Sequence, residues 1–390
     1  MKIIAFYLPQ FHNIPENDEW WGEGFTEWTN VKKAKPLFKG HEQPKIPLNN
    51  NYYNLLDDKV KIWQANLAKK YGIYGFCYYH YWFNGKMLLE KPMEQMLANK
   101  KVDIPFCICW ANEAWSKRWV GEGRKVLIKQ FYGKEKEWIE HYNYFSKFFK
   151  DERYIFDNGM PVIVIYKPGI IPCMKDMLLC WENCAKKDGF KGLTKMCVIN
   201  NPNSSKLDEN VYLFDYSINW EPVMSMSSDK TSFFDPLKTL RRNFLNWGSI
   251  KTGIDLYQYS IIDKLRSMKN KKKNNSFVDF ETVAKTSLNR KPVLKNNIPG
   301  GFLRLDNSPR YGNNGSGTKN ENPEKFKKYL IDLIKNTKDV YEKDYIFFYA
   351  WNEWAEGGFL EPETIHKMEY LEAIKESLEL TGEFPKYDNV

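Results

Sequence analysis

The chain has 390 residues, of which 43% are hydrophobic and 16% aromatic, and its formal net charge is +9. This composition supports a large packed core and excludes an intrinsically disordered chain. There is no apolar run of about 18 residues that would predict a membrane-spanning helix. The N-terminal stretch lacks the cleavage site of a signal peptide. We therefore expect a globular, cytoplasmic protein.

Charge and cysteine usage limit the expected ligands. Lysine and arginine are scattered, with one dense basic run at residues 269–273, which is more typical of a solvated loop than of a nucleic-acid site. The seven cysteines are an odd number and several lie in apolar runs, which favours buried thiols over disulfides or a zinc site. We expect no nucleic-acid partner, no metal and no other cofactor.

Short apolar runs typical of strands alternate with segments of helical periodicity. Strands are predicted at residues 2–8, 73–81, 104–110, 161–166, 195–200, 212–216, 300–304 and 345–351. Helices are predicted at 60–71, 92–100, 136–150, 173–187 and 323–341. This alternation predicts an α/β fold with a parallel sheet, and eight strands predict closure into a (β/α)8 TIM barrel. An open doubly wound sheet is the alternative, but no Gly-x-Gly-x-x-Gly follows the first strand.

Residues 1–390 are predicted to form one domain, because no internal repeat or interdomain linker divides the chain. Elongated βα loops are expected to form an aromatic cleft at the C-terminal ends of the strands, where barrel enzymes place their active sites. The aromatic, glycine-rich loop at 18–30 is predicted to be one wall of this cleft.

Polar and aromatic residues follow the first three predicted strands directly. The candidate substrate-binding residues at or near these strand ends are Tyr7, His12, Trp28, Tyr81, Trp82, Trp110, Asn112, Glu113 and Trp115. Structural alternatives remain open at two places. His12 also fits a hydrogen-bonded structural histidine, and the loop at 110–115 also fits aromatic packing.

Two carboxylates three residues apart, Glu353 and Glu356, follow the eighth predicted strand. They are flanked by three further candidate binding residues, Trp351, Asn352 and Trp354. Cleavage of a glycosidic bond needs two carboxyl groups in different environments, and aromatic walls both stack on sugar rings and raise a carboxyl pKa. We predict that this pair is catalytic, although capping of a turn or pairing with a cation is the alternative. Arg310 could bind an anion or form a structural pair with Asp306.

Several motifs make a family resemblance specific. They are FYLPQFH at 6–12, WWGEGFTEW at 20–28, GFCYYHYWF at 75–83, WANE at 110–113 and WNEWAEG at 351–357. Together they resemble the WbsX-like family, also described as glycoside hydrolase family 99-like, over nearly the whole chain. The resemblance implies a (β/α)8 barrel.

The resemblance carries two functional descriptions. WbsX-like proteins are described as glycosyltransferases of bacterial surface-polysaccharide clusters, whereas family 99 contains retaining endo-acting α-mannosidases and mannanases. In family 99, the first glutamate of the matching Asn-Glu-Trp-x-Glu pattern is the base on the sugar 2-hydroxyl, and the second is the general acid and then base. The resemblance therefore implies these roles for Glu353 and Glu356 respectively.

Three functions follow as hypotheses. The favoured one is a retaining glycoside hydrolase or transglycosylase acting on a bacterial surface or related polysaccharide. The alternatives are a glycosyltransferase of capsule or O-antigen (lipopolysaccharide) biosynthesis and a non-catalytic glycan-binding barrel. An oligosaccharide or polysaccharide is the expected partner, with peripheral association with membrane glycan-assembly machinery as a further expectation. The sequence leaves the sugar, its linkage and the choice between hydrolysis and transfer open.

Overall fold

Nine parallel strands form a nearly closed barrel in the computed structural model, which describes residues 1–116, 126–203, 207–228 and 276–387. The strands are β1 Lys2–Tyr7, β2 Ile73–Phe83, β3 Phe106–Trp110, β4 Met160–Ile165, β5 Thr194–Ile199, β6 Tyr216–Asn219, β7 Asn297–Ile298, β8 Gly300–Phe302 and β9 Tyr345–Tyr349. Their order in the sheet is β7-β6-β5-β4-β3-β2-β1-β9-β8. This order confirms the predicted barrel architecture.

β7 and β8 act as two halves of one barrel strand. β7 pairs with β6, while β8 pairs with β9, and Pro299 alone separates the two halves. Proline has no backbone N–H, so it interrupts a hydrogen-bonded ladder at this position. The count of nine strands is therefore consistent with the eight predicted from the sequence, and the prediction at 300–304 located only the second half.

The sixth strand begins later than predicted. Residues 212–216 were expected to be extended, but Glu209–Leu213 is a 3-10 helix and the strand begins at Tyr216. The Asp208 carboxylate accepts a hydrogen bond from the Asn210 backbone nitrogen at 2.9 Å and so caps this helix. Tyr212 is 63% exposed, so the apolar alternation there does not mark a buried strand.

Helices and short strands surround the barrel. The α-helices of the described residues are Pro15–Trp21, Glu27–Lys33, Asp58–Lys70, Lys91–Ala98, Glu135–Phe149, Met174–Lys187, Val223–Ser228, Phe280–Leu288, Ser308–Tyr311, Pro323–Asp339 and Glu369–Leu380. Further short strands are Lys86–Leu88, Trp115–Ser116, Val126–Ile128, Phe156–Asp157, Ser276–Asp279, Ser316–Lys319, Asn352–Glu353 and Gly358–Phe359. Among these described helices, none is long and apolar enough to cross a bilayer. The basic run at 269–273 lies outside the described residues.

A buried aromatic layer fills the barrel below its C-terminal end. The Phe6 ring centroid lies 5.0 Å from that of Trp220, 5.6 Å from that of Tyr79 and 5.8 Å from that of Phe347. These rings come from β1, β2, β9 and the residue after β6, so they meet across the barrel interior. Residues at the strand ends lie above this layer of packed rings.

A single buried carboxyl group, that of Glu361, joins three segments near the strand ends. It accepts hydrogen bonds from the Tyr53 hydroxyl at 2.8 Å, the Gln64 amide at 2.7 Å and the Trp354 indole at 2.7 Å. All three donors are neutral, and burial raises the pKa of Glu361 to about 7. The group therefore links the first long loop, the helix Asp58–Lys70 and the segment after β9.

Replacing Glu361 with glutamine should remove a pH-dependent part of the stability. The Glu361 pKa is about 7 in the folded state, whereas an unfolded glutamate has a pKa of about 4.3. The raised pKa contributes stability that is fully present below the unfolded value and is lost as the pH rises through the folded value. Between about pH 5 and about pH 8, the free energy of unfolding should fall more for the wild type than for Glu361→Gln, as measured by urea denaturation.

The exposed Glu372 provides the control for this measurement. Glu372→Gln should keep the wild-type dependence on pH. Parallel stability profiles for the wild type and Glu361→Gln would contradict the assignment.

Candidate active site

A narrow cavity of about 60 Å³ opens at the C-terminal ends of the barrel strands, and we call it the rim cavity. It is lined by Tyr79, Tyr81, Ala111, Glu113, Trp115, Tyr166, Trp220, Tyr349, Glu353 and Glu356. These residues lie in or just after β2, β3, β4, β6 and β9. The lining therefore combines three carboxylates with aromatic walls suited to stacking on a sugar ring.

A tight hairpin after β9 presents Glu353 and Glu356 to the rim cavity. The strand Asn352–Glu353 pairs antiparallel with Gly358–Phe359, and the 3-10 turn Trp354–Glu356 connects them. Gly357 closes the turn with a φ of 69°, and a Cβ there would lie 2.7 Å from the Asp306 nitrogen. Only glycine fits this position, so it fixes the path of the chain beside Glu356.

The Arg310 guanidinium contacts three carboxylates. Its Nη1 bonds to Glu356 Oε1, and its Nη2 bonds to Glu27 Oε1 and lies 3.3 Å from Glu353 Oε2. Its Nε also donates to Glu27 Oε1 at 3.1 Å. Arg310, Glu27 and Glu353 are all buried. Three carboxyl groups thus share one fixed positive charge.

Asp306, the alternative partner of Arg310 considered from the sequence, binds elsewhere. Its Oδ2 accepts a hydrogen bond from the Gln43 amide at 2.5 Å and lies 2.8 Å from His41 Nε2. Its backbone nitrogen donates to the Glu356 carbonyl at 2.6 Å. Asp306 therefore braces the turn, and Arg310 faces the glutamates.

Burial dominates the electrostatics of the cluster. It raises the pKa of Glu353 well above the ordinary value, and the neighbouring Glu356 raises it further, while Arg310 opposes the shift. Burial also raises the pKa of Glu27 despite its bonds to Arg310. Burial alone would lower the pKa of Arg310, but the three carboxylates raise it well above its usual range. Glu353 is therefore a carboxyl group that holds its proton more tightly than an exposed glutamate.

Tyr349 completes the surroundings of Glu356. Its hydroxyl donates to Glu356 Oε2 at 2.6 Å, and its ring meets that of Trp220 edge-on at 5.2 Å. A Cβ on Gly358 would lie 2.1 Å from this ring, so glycine at that position leaves room for the tyrosine. The peptide bond between Tyr349 and Ala350 is cis.

Two predicted binding residues, Asn352 and Asn112, are fully buried and bonded to backbone. The Asn352 amide accepts from the Leu8 nitrogen at 2.7 Å and donates to the Leu8 carbonyl at 3.0 Å. The Asn112 amide makes the same pair of bonds to Lys167, each at 2.8 Å. Each amide thus locks its own strand end to a neighbouring one, and the Lys167 side chain pairs with Glu113 in the rim cavity.

The structure brings six of the predicted site residues together. Glu353, Glu356, Tyr81, Glu113 and Trp115 line the rim cavity, and Arg310 contacts both catalytic candidates. Trp28 and Trp354 instead line two outer hollows of about 570 and 440 Å³, which share Tyr52 and Tyr53. The Trp28 and Trp354 rings pack against each other, with their centroids 5.3 Å apart.

Tyr7 and His12 lie in the core near the end of β1. The Tyr7 hydroxyl donates to Gln64 at 2.6 Å on the outer side of the barrel, because neighbouring strand residues face opposite ways and Phe6 faces the interior. His12 Nδ1 lies 3.0 Å from the Pro9 carbonyl. Burial lowers the His12 pKa to about 4, so the ring is neutral near neutral pH.

Three predicted tryptophans are also packed away from the rim cavity. Trp82 stacks on the His141 imidazole at 4.4 Å, and Trp110 meets the same ring edge-on at 4.7 Å. Trp351 is fully buried and packs against Phe76 at 5.1 Å. The contact of Trp110 is the aromatic packing that the sequence left open for the loop at 110–115, whereas Glu113 and Trp115 of this loop line the rim cavity.

Several residues of the site were not among the predicted ones. They are Glu27, Tyr79, Tyr166, Trp220 and Tyr349. Tyr79 could have been found from Tyr81, because the two are separated by one residue in β2 and therefore face the same side. Glu27 lies in a motif quoted above, but its pairing with Arg310 spans 283 residues, and no local pattern predicts such a contact.

Within residues 1–116, 126–203, 207–228 and 276–387, no group of three His, Cys, Asp or Glu side chains is arranged to hold a metal ion. All seven cysteines are free thiols, and Cys77, Cys107, Cys109 and Cys197 are buried.

Solved structures resemble this barrel despite low sequence identity. A glycoside hydrolase-like protein matches with a TM-score of 0.57 and 12% identity, over 96% of this chain and 93% of the other. A family 99 endo-α-mannosidase from Bacteroides thetaiotaomicron matches with a TM-score of 0.52 and 12% identity, over 97% of each chain. These matches establish the fold that the chain shares with glycoside hydrolases.

Sequence relatives identify the family. WxcX, an uncharacterised protein of Xanthomonas campestris pv. campestris, is 31% identical over 381 residues in two strains, ATCC 33913 and B100. The match covers 96% of this chain and 49% of WxcX, so the chain spans about half the length of these relatives. Residues 3–374 match the family described as glycosyltransferase WbsX. The chain therefore belongs to the WbsX family.

Proposed function

We propose that the protein is a retaining glycoside hydrolase or transglycosylase that acts in the rim cavity. The observation that carries this proposal is the placement of Glu353 and Glu356, which face one aromatic cavity at the C-terminal end of a barrel. Glycosidases use such a carboxyl pair on either side of the scissile bond. The walls formed by Tyr79, Tyr166 and Trp220 supply apolar surface for a pyranose.

The proposed roles are those that the resemblance to family 99 implies for the two glutamates of the Asn-Glu-Trp-x-Glu pattern. Glu353 is the base that takes the proton of the sugar 2-hydroxyl, so that this oxygen attacks the anomeric carbon and forms a 1,2-anhydro sugar. Glu356 protonates the departing glycosidic oxygen and then removes a proton from the incoming water or hydroxyl. That oxygen attacks the anomeric carbon while the bond from this carbon to the 2-oxygen breaks, and the 2-oxygen recovers its proton from Glu353. The raised pKa of Glu353 supports its role, because its carboxylate is a stronger base than that of an exposed glutamate.

The proposed substrate is an oligosaccharide or polysaccharide, and specifically a bacterial surface glycan under assembly beside the membrane. The family is described as a glycosyltransferase family and one structural neighbour is an endo-α-mannosidase, so both act on carbohydrate. A cytoplasmic location, which we propose, would agree with trimming or transfer during synthesis better than with breakdown of a finished polysaccharide.

A glycosyltransferase is the second candidate, and the family description favours it. It would take its sugar from a nucleotide-sugar donor, whereas the two-carboxylate route needs only a glycoside. Isothermal calorimetry with a panel of nucleotide sugars separates the two. Tight binding of one donor would favour the transferase, and turnover of an aryl glycoside without a nucleotide would favour the hydrolase.

Replacing Glu356 with glutamine should slow cleavage in a way that depends on the leaving group. Loss of a general acid should reduce turnover of aryl glycosides with poor leaving groups by about 10²- to 10⁴-fold. Dinitrophenyl glycosides should lose far less, because their leaving group departs without protonation. Steady-state kinetics on a panel of α- and β-aryl glycosides would measure the difference.

The control for this series is Glu372→Gln, which replaces an exposed glutamate of the helix Glu369–Leu380. It should match the wild type on every substrate of the panel. Equal turnover by the wild type and Glu356→Gln would sink the assignment of the general acid.

The decline of kcat/KM on the acidic side of the pH profile should reflect protonation of Glu353. A base must be deprotonated to act, and burial raises the pKa of Glu353 well above the ordinary value. As the pH falls, kcat/KM should therefore decline at a higher pH than for an exposed glutamate, whose pKa is about 4.3. A limb at or below that value in the kcat/KM profile of the wild type would contradict the proposed base.

A further inference from the structure

Glu27 and Glu353 compete for the same guanidinium group. Glu27 Oε1 accepts from both Nε and Nη2 of Arg310, whereas Glu353 has one contact to Nη2 at 3.3 Å. Glu27 is fixed in place as the first residue of the helix Glu27–Lys33, and its backbone nitrogen donates to the Gln10 carbonyl at 3.0 Å. The closer pairing therefore belongs to Glu27, which does not line the rim cavity.

We propose that Glu27 is a positioning residue that holds Arg310 away from a full ion pair with Glu353, and so sets the pH at which Glu353 gains its proton. This inference rests on the proposed function only for its consequence, namely that Glu353 acts as a base. The competition itself follows from the contacts of Arg310.

The charges around Glu353 support this inference. Its charged neighbours are Glu356, Arg310 and Glu27, so three carboxyl groups face one guanidinium. Other titratable groups around the cavity are the phenols Tyr79 and Tyr81 of β2, Tyr166 after β4 and Tyr349 of β9. The carboxylate of Glu113 also lines the cavity, where Lys167 pairs with it. Burial raises the pKa of each phenol well above its ordinary value, so they are neutral near neutral pH. Near neutral pH, the charges that shift the Glu353 pKa therefore belong to the carboxyl groups and Arg310.

The consequence for Glu353 has a definite sign. If Glu27 lost its charge, the guanidinium would be free to pair more closely with Glu353, and a nearby cation favours the carboxylate form. The pKa of Glu353 would then fall, and Glu353 would become a weaker base. Glu27 therefore preserves the basicity of Glu353 without touching a ligand in the rim cavity.

The test is a carboxyl titration by NMR on the full chain with glutamate labelled with ¹³C at the δ position. The Glu353 resonance is assigned by its loss in Glu353→Gln. In Glu27→Gln, the titration midpoint of Glu353 should fall by at least about one pH unit. In Glu23→Gln, which removes an exposed carboxylate of the same segment, the midpoint should stay at the wild-type value.

A second variant keeps the test decisive if Glu27→Gln does not fold. Glu27→Asp retains the negative charge and removes the glutamate resonance at position 27, which assigns Glu27 in the wild type. The inference requires Glu27 to release its proton at a lower pH than Glu353 in the wild type. It would be overturned by the opposite order, or by an unchanged or higher midpoint of Glu353 in Glu27→Gln.

The titration needs no substrate, so its result is independent of the proposed reaction. If no glycoside is turned over but the midpoint falls, the proposed function fails and the role of Glu27 stands. If glycosides are turned over and the midpoint does not move, the proposed function stands and the role of Glu27 fails. When an active substrate is found, the acidic limb of kcat/KM should move to lower pH in Glu27→Gln, which a purely structural role would not produce.

Discussion

The arrangement of the strand ends depends on the pairing of Arg310 with three carboxylates. This guanidinium connects Glu27 of the first loop with Glu353 and Glu356 of the hairpin after β9, and Arg310 itself lies in the helix Ser308–Tyr311. Buried charges are tolerated only when they are paired. The cluster therefore fixes three distant segments against one another, because removal of the cation would leave the glutamates without compensation.

The hairpin gives two glutamates three residues apart unlike environments. The Glu353 side chain lies in a strand and is 8% exposed, whereas that of Glu356 lies on the following 3-10 turn and is 26% exposed. The Tyr349 hydroxyl donates a hydrogen bond of 2.6 Å to Glu356, whereas the contact between Glu353 Oε2 and Arg310 Nη2 is 3.3 Å long. Different tasks for two carboxyl groups require this kind of asymmetry, and here the backbone of a seven-residue motif, WNEWAEG, creates it.

The barrel and the carboxylate pair could be predicted from the sequence because both are local patterns. Alternating apolar runs located the strands, and Glu353 and Glu356 follow the last of them. The orientation of individual side chains could not be predicted, since a shift of one residue moves a side chain to the opposite face. Tyr7 therefore lies on the outer side of β1 while Phe6 faces the interior. The bond of Glu27 to Arg310 was beyond prediction because it joins segments 283 residues apart.

The two descriptions attached to this fold, transferase and hydrolase, are chemically compatible in a site of the proposed kind. A retaining reaction divides into formation and opening of an activated sugar, and the second step accepts either water or another hydroxyl group. The general base for that step is the same carboxylate in both cases. The outcome then depends on which acceptor occupies the cavity beside Glu356. Aromatic walls such as Trp220 and Tyr166 favour a sugar ring there, because burying their apolar faces against a ring releases water.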